Sequence, residues 1–374
     1  MKLGLSPSER QLQEEVREFL TAQAASFSSL PRNLGERIGL LRGWQALCYE
    51  AGYVGRSWPA QFGGGGRPPV EQMIVDQELA AAGAPEFVNV VGLDVLGPSL
   101  LTFGNDEQRS RHIPGILSAD EIWCQGFSEP DAGSDLASLR TRAVETDEHF
   151  GLSGQKTWVS WGHFARWCGV LARTDETVAR HRGISMLIVD MQSPGVEVRP
   201  ITQITGHAEF CEVFFDDVVV PKDNLLGERG DGWKIAMHTV GHERGTAALP
   251  RQVKLRTWVD RAVREAAERA LLDDPATQQE LARALIGIEV LRHHAYRTVG
   301  EFLSGGAVGP ESSVVKLLMA EAEQRVAATA FDLLGDDEFW DETYLYSRAA
   351  SVYGGTQQIQ RSIIADRVLG LPKE

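Results

Sequence analysis

The spacing of apolar residues changes period twice along this chain, and that change constrains the fold more than any single motif. Up to about residue 120 the apolar positions recur at helical spacing. Leu12, Val16, Phe19 and Leu20 follow a Ser6-Pro7-Ser8-Glu9 capping box with proline at the first helical position. Further helices are expected over 38–51, 70–82, 88–103 and 107–117. From 121 to 225 the texture differs. IWCQGF, RWCGVLA, GISMLIVD and CEVFFDDVVV are short runs rich in β-branched and aromatic residues, separated by Gly, Pro and Asp turns. They predict strands, with 174–182 as a polar loop. Beyond 226 helical spacing returns, over 251–272, 276–303, 310–334 and 356–368. On the first of these, Val253, Trp258, Val259, Ala262, Val263, Ala266 and Ala270 form one broad apolar face. The expected architecture is α+β and multidomain: an all-α domain over 1–120, a β-barrel or sandwich domain over 121–225, and a helical domain over 226–374.

The remaining global features mostly exclude. A chain of 374 residues exceeds what one core usually covers, so two or three domains are expected. A net charge of −15 argues against a nucleic-acid binder. A polyanionic ligand would need local basic residues to oppose that charge. No apolar run approaches the roughly 20 residues of a membrane span. The first residues, 1–19, are charged and polar and read as neither signal nor transit peptide. Cys48, Cys124, Cys168 and Cys211 show no paired spacing, which reads as reduced thiols in a cytoplasmic protein without a metal. The four glycines of WPAQFGGGGRPP (58–69) lack the Gly-Lys-Ser/Thr of a phosphate loop and read as a flexible connection. His238 and His242 stand four apart, but HTVGHE is not His-Glu-x-x-His, so they read as packing or pocket-lining residues.

Four stretches carry chemistry. In GFSEPDAGSD (126–135), small residues and a proline let the backbone pass close to a flat ligand. Ser128 and Ser134 supply hydroxyls, and amides near Gly133 can face a phosphate. Alone, the stretch reads equally well as a β-turn with hydroxyl caps. In TWVS, Trp158 is a plate able to cover a ring system, and Ser160, two residues on, falls on the same side of a regular strand. Alone, Trp158 fits a strand core as well. In VGHERG, Glu243 precedes Arg244; alone, it reads as a surface helix carboxylate paired with Arg244 or Lys234. The fourth stretch is VYGGTQQIQR (352–361).

GFSEPDAGSD, LSGQKTWVS, VFFDDVVVPKDNLLGERGDGW and YGGTQQIQR occur in the order and spacing of the acyl-CoA dehydrogenase family, which the chain resembles over essentially its whole length. The resemblance implies an N-terminal helical domain, a middle β domain and a C-terminal four-helix bundle. It implies FAD, held by Gln125, Phe127, Ser128, Gly133, Ser134, Trp158, Ser160, Thr356 and Gln358. It implies an acyl thioester substrate, delivered on CoA or a carrier protein, beside Ser134 and Arg244. It also implies reoxidation by an electron-transferring flavoprotein. Many members carry a catalytic glutamate where this chain has Gly354. A branch typified by isovaleryl-CoA dehydrogenase carries it on an earlier helix, just before an arginine. Glu243 stands at that position, so the resemblance implies a relocated base. Gly354 would still offer its backbone N–H to the thioester oxygen.

That chemistry needs one base. An α-proton beside a thioester is weakly acidic, and a carboxylate in a dry pocket gains the basicity to remove it. Donors at the thioester oxygen then meet the enolate charge. Three departures from the family pattern bear on partners and substrate. An Arg-x-x-Phe-Gly motif that reaches a neighbour's FAD is absent from 268–279. A Gln-x-x-Gly-Gly motif is replaced over 332–337, with Asp336 in it. An aspartate that grips CoA is Gly241. Both a homo-oligomer and a hetero-oligomer with a related subunit are compatible with these changes. So are a non-catalytic subunit and a flavin oxidase or monooxygenase of the same fold. The acyl group stays open among branched-chain, fatty, sterol side-chain and aminoacyl groups.

Overall fold

The computed structural model describes residues 4–24, 30–246, 248–303 and 309–372, with backbone alone at 242–246 and 302–303. The helices, in chain order, begin with α1 (Pro7–Gln23), α2 (Leu34–Glu50), α3 (Pro69–Ala81), α4 (Gly97–Phe103) and α5 (Asp106–Ser118). The strands are β1 (Trp123–Gly126), β2 (Arg142–Glu145), β3 (His149–Ser160), β4 (Trp167–Arg173), β5 (Ile184–Asp190), β6 (Val196–Ile201), β7 (Phe210–Pro221) and β8 (Leu225–Leu226). Then follow α6 (Gly232–Thr246), α7 (Ala248–Glu268), α8 (Pro275–Leu303), α9 (Ser312–Leu334), α10 (Glu338–Ser347) and α11 (Gln357–Ile363). The helical, β, helical order matches the expectation, with strands running from Trp123 to Leu226. Backbone contacts divide the chain into two units. One comprises Met1–Ser28, Pro68–Pro85 and Glu243–Glu374; the other comprises Ser29–Arg67 and Glu86–His242.

In the first unit, α1 starts at its capping box. Ser6 Oγ accepts from the Glu9 amide, and the Glu9 carboxylate accepts from the Ser6 amide at 2.6 Å. Leu12, Val16 and Leu20 are buried beneath it. Helices α3, α7, α8 and α9 share a core of Leu249, Leu255, Val259, Ile288, Leu291 and Val326, with Met73 packed against it. The apolar face expected on α7 is rotated. Val259, Ala262 and Ala266 are buried, but Val263 and Ala270 are exposed, and Gln252 and Leu255 are buried instead. Ala270 lies beyond the helix, at φ 56°, where the turn leads away from the face. Helix α10 does not follow from apolar spacing. Asp337 starts it by accepting from the Phe339 amide at 2.8 Å, and Trp340 anchors it in the core.

In the second unit the sheet runs β6-β7-β3-β2-β4-β5-β8, with β1 beside β4. Pairing is antiparallel except β1 and β2 against β4. Phe150, Leu152, Val170, Val213 and Phe215 fill its core. Cys124 and Cys168, far apart in sequence, are register partners on β1 and β4. All four cysteines are free thiols and buried. Helix α2 begins four residues earlier than expected, because Asn33 caps it by accepting from the Glu36 amide. The interval 88–103 is not uniformly α-helical: Val91–Leu96 is a π turn ahead of α4. The glycine-rich stretch is a close-packed turn rather than a loose connection. The amide of Gly66 donates to the Trp58 carbonyl at 2.8 Å, and a Cβ on Gly64 would lie 2.4 Å from that carbonyl oxygen. Among the described residues, no helix is long and apolar enough to cross a membrane, and no cluster of three metal-ligating side chains occurs.

Candidate active site

Strand β1 delivers Gln125 and Phe127 to the start of the GFSEPDAGSD loop, and β3 supplies the loop's support. The Thr157 amide donates to the Ser128 carbonyl at 2.9 Å, which places Ser128 beside Trp158. Lys156, on the inner side of β3, is 0% exposed. Its Nζ donates to the Phe127 carbonyl at 3.0 Å and to the Glu129 carboxylate at 2.8 Å. Glu129 also accepts from the amides of Arg140 and Thr141. Both ends of the loop are therefore tied to one buried ion pair. Burial alone would push the Glu129 carboxyl up; the Lys156 ammonium and the surrounding donors outweigh it and hold the group below its ordinary value. Burial brings the Lys156 ammonium down to about 8, against the opposing pull of Glu129. Sequence reasoning singles out neither residue. The only signal is a lone Glu and a lone Lys inside motifs that read for their serines and tryptophan.

Trp158 does not belong to the strand core. It is 60% exposed and has φ 59°, a left-handed conformation that is costly for a bulky residue. The cause is a register shift in the β3–β7 ladder between Lys156 and Val159. That bulge breaks the two-residue period, so the argument placing Ser160 on the same side as Trp158 by strand alternation does not hold here. Phe210 meets the indole edge-on, at 6.2 Å between centroids. On the loop, Ser128 and Gln125 are half-buried, while Gly133 and Ser134 are exposed. The Phe127 side chain is buried, so only its backbone is available to a ligand. An exposed indole held in a strained bulge beside a loop of hydroxyls and small residues fits a flat heteroaromatic group carrying a phosphate.

In the first unit the YGGT turn leads into α11. Gly354 has φ 63° and Gly355 φ 98°, conformations that glycine adopts without steric cost. Thr356 caps α11, its hydroxyl accepting from the Ile359 amide at 3.3 Å. Gln358 is exposed, and Gln360, which sequence reasoning does not single out, is buried. The backbone of Glu243 and Arg244 continues α6; their side chains, and that of His242, lie outside the described residues. Lys234 places its ammonium over the Phe103 ring at 5.3 Å. His238 packs edge-on to Phe103 and lies 3.2 Å from Ser99 Oγ, and burial lowers its pKa. Asp336 pairs with Arg269 at 3.0 Å and Asp337 with Arg261 at 2.7 Å. The structure thus groups Gln125, Phe127, Ser128, Gly133, Ser134, Trp158 and Ser160 in one unit, and Gly354, Thr356 and Gln358 in the other.

A fold of this order, with these motifs on these elements, defines a class: the chain belongs to the acyl-CoA dehydrogenase family and is a flavoprotein oxidoreductase. The family models of its N-terminal, middle and C-terminal domains match residues 6–120, 124–218 and 230–369. The chain is 40% identical to acyl-CoA dehydrogenase IpdE1 of Mycobacterium tuberculosis, over 96% of this chain and 97% of that protein. Among solved structures, the Tcur3481-Tcur3483 steroid ACAD superimposes with a TM-score of 0.88 at 27% identity, covering 100% of both chains. The ChsE4-ChsE5 complex of Mycobacterium tuberculosis does so with a TM-score of 0.84 at 27% identity, again covering 100% of both.

Proposed function

We propose that this chain oxidises an acyl thioester to the α,β-enoyl thioester, with Glu243 as the base. The carrying observation is the YGGT turn, where Gly354 and Gly355 are both left-handed and bear no carboxylate. Glu243 is the carboxylate at the family's alternative position. It takes the α-proton as the α C–H bond breaks. The Gly354 N–H donates to the thioester oxygen as negative charge grows there. FAD, when bound, supplies the acceptor for the β-hydrogen and its two electrons. Gln125, Ser128, Gly133, Ser134, Trp158 and Ser160 would hold it, with the Phe127 backbone, Thr356 and Gln358. Ser134 and Arg244 orient the thioester.

An electron-transferring flavoprotein is the acceptor from which turnover resumes. The substrate class proposed is a steroid-derived acyl-CoA thioester, a reading supported by the solved neighbour titled a steroid ACAD. Assembly with a related subunit is supported by the paired names of two neighbours and by the changes at 268–279 and 332–337. The same reading puts domain limits at 1–120, 121–225 and 226–374. Glu243→Gln tests the mechanism. Turnover of the FAD-loaded assembly falls by orders of magnitude if Glu243 is the base. An unchanged rate would mean that the base is elsewhere, or that this chain is a structural subunit.

A further inference from the structure

A pair of adjacent glycines has an unusually wide choice of backbone conformations. A chain that builds a reacting site on such a pair has to remove that freedom from outside. The described residues show what removes it. Gln360 is 0% exposed, and its Nε2 donates to both the Gly354 and Gly355 carbonyls, at 3.2 Å each. Peptide planarity then turns the amides of Gly355 and Thr356 the other way. The preceding residue is gripped as well. Lys316 Nζ lies 4.4 Å from the centre of the Tyr353 ring and donates to the Ala350 carbonyl at 2.8 Å. Arg251 reaches the Tyr353 hydroxyl at 3.4 Å.

Gln360 is a poor residue for stability alone. Its Oε1 is buried and has no hydrogen-bond partner among the described residues. An apolar side chain of similar length would avoid leaving that acceptor unsatisfied. What the amide does here, and an apolar side chain cannot, is bind two carbonyls at once. We propose that Gln360 is a positioning residue for the dehydrogenation: by holding the Gly354 and Gly355 carbonyls it fixes the turn from which Gly354 presents its N–H to the thioester. This rests on the function proposed above. Gln360 itself touches neither substrate nor reacting atoms.

The test compares full-length, FAD-loaded wild type with Gln360→Met, which keeps length and removes the donor. Gln360→Leu, uncharged and likewise without a donor, serves as a second variant should the first fail to fold. Four quantities are read: kcat and KM for an acyl-CoA that wild type oxidises, the melting temperature, and the long-wavelength absorbance band formed with a redox-inert 3-thia-acyl-CoA. The expected result is a kcat loss of roughly ten- to a hundred-fold, with KM changed less than about three-fold. The 3-thia band weakens, and the melting temperature is little altered. A lower melting temperature with kcat and the band intact would mean a purely structural residue and overturn the proposal. So would a rise in KM alone. A wild type that oxidises no acyl thioester overturns the underlying function, and this inference with it; an active wild type matched by its variants overturns the inference alone.

Discussion

Lys156 is a cation with no access to water, and its place in the fold depends on Glu129. Lys156→Met leaves the carboxylate buried without its counter-charge, at a cost of about 3–5 kcal/mol. Adding Glu129→Gln to that variant removes the orphaned charge and returns part of the loss. Urea unfolding followed by tryptophan fluorescence checks both. His112 gives the pH dependence. It is buried edge-on against Trp123 and Trp167. Burial first, and then the Arg111 charge, lowers its pKa from 6.5 to about 4. The unfolded chain therefore takes up this proton near pH 6.5, and the folded one only near 4. The stabilisation is complete above 6.5 and is lost as pH falls from 6.5 towards 4, by about 3 kcal/mol. His112→Phe flattens that part of a plot of stability against pH. The residues proposed to edge the flavin stand out in the sequence as types and spacing. Their support is not, because a buried ion pair across 27 residues leaves no periodic trace. Trp158 is legible as a plate; that it stands on a bulge is not.

Elements announce themselves by their ends when a side chain caps them. Ser6 and Glu9 mark the start of α1 in the residue order itself, and Ser6→Ala should cost about 1 kcal/mol in thermal unfolding, with loss of helix signal. Asp337 caps α10 in the same way, yet that helix is hidden in the sequence. Its stretch, EFWDETYLYS, interleaves acidic and aromatic residues without a helical stripe, and Trp340 is its fully buried anchor. The face of α7 departs from expectation for a different reason. Apolar composition names Val263, while tertiary packing chooses Gln252 and Leu255. The glycine-rich turn at 63–66 shows a third limit: the sequence marks a break in helix, but the tight backbone packing behind it is visible only in three dimensions.

At the scale of the molecule, the order of domains follows from two changes in hydrophobic period, and the family follows from motif order. Partner and substrate do not, because both depend on surfaces that a single sequence does not pair. Arg269 and Asp336, one in each of the two stretches 268–279 and 332–337, pair with each other. Asp336 is highly exposed, so the pair itself contributes little stability. Native mass measurement after co-purification with a related subunit should give two FADs per four chains; one FAD per chain from this protein alone would rule out the hetero-oligomer. The four thiols carry a separate consequence. Cys48, Cys124, Cys168 and Cys211 are all buried, and all fall within 29–67 and 86–242, the second unit. A thiol-alkylating reagent is thus shut out until that unit opens. Labelling rates clock the opening of the sheet-containing unit and are blind to unfolding of the other, so one chemical probe tells the two apart.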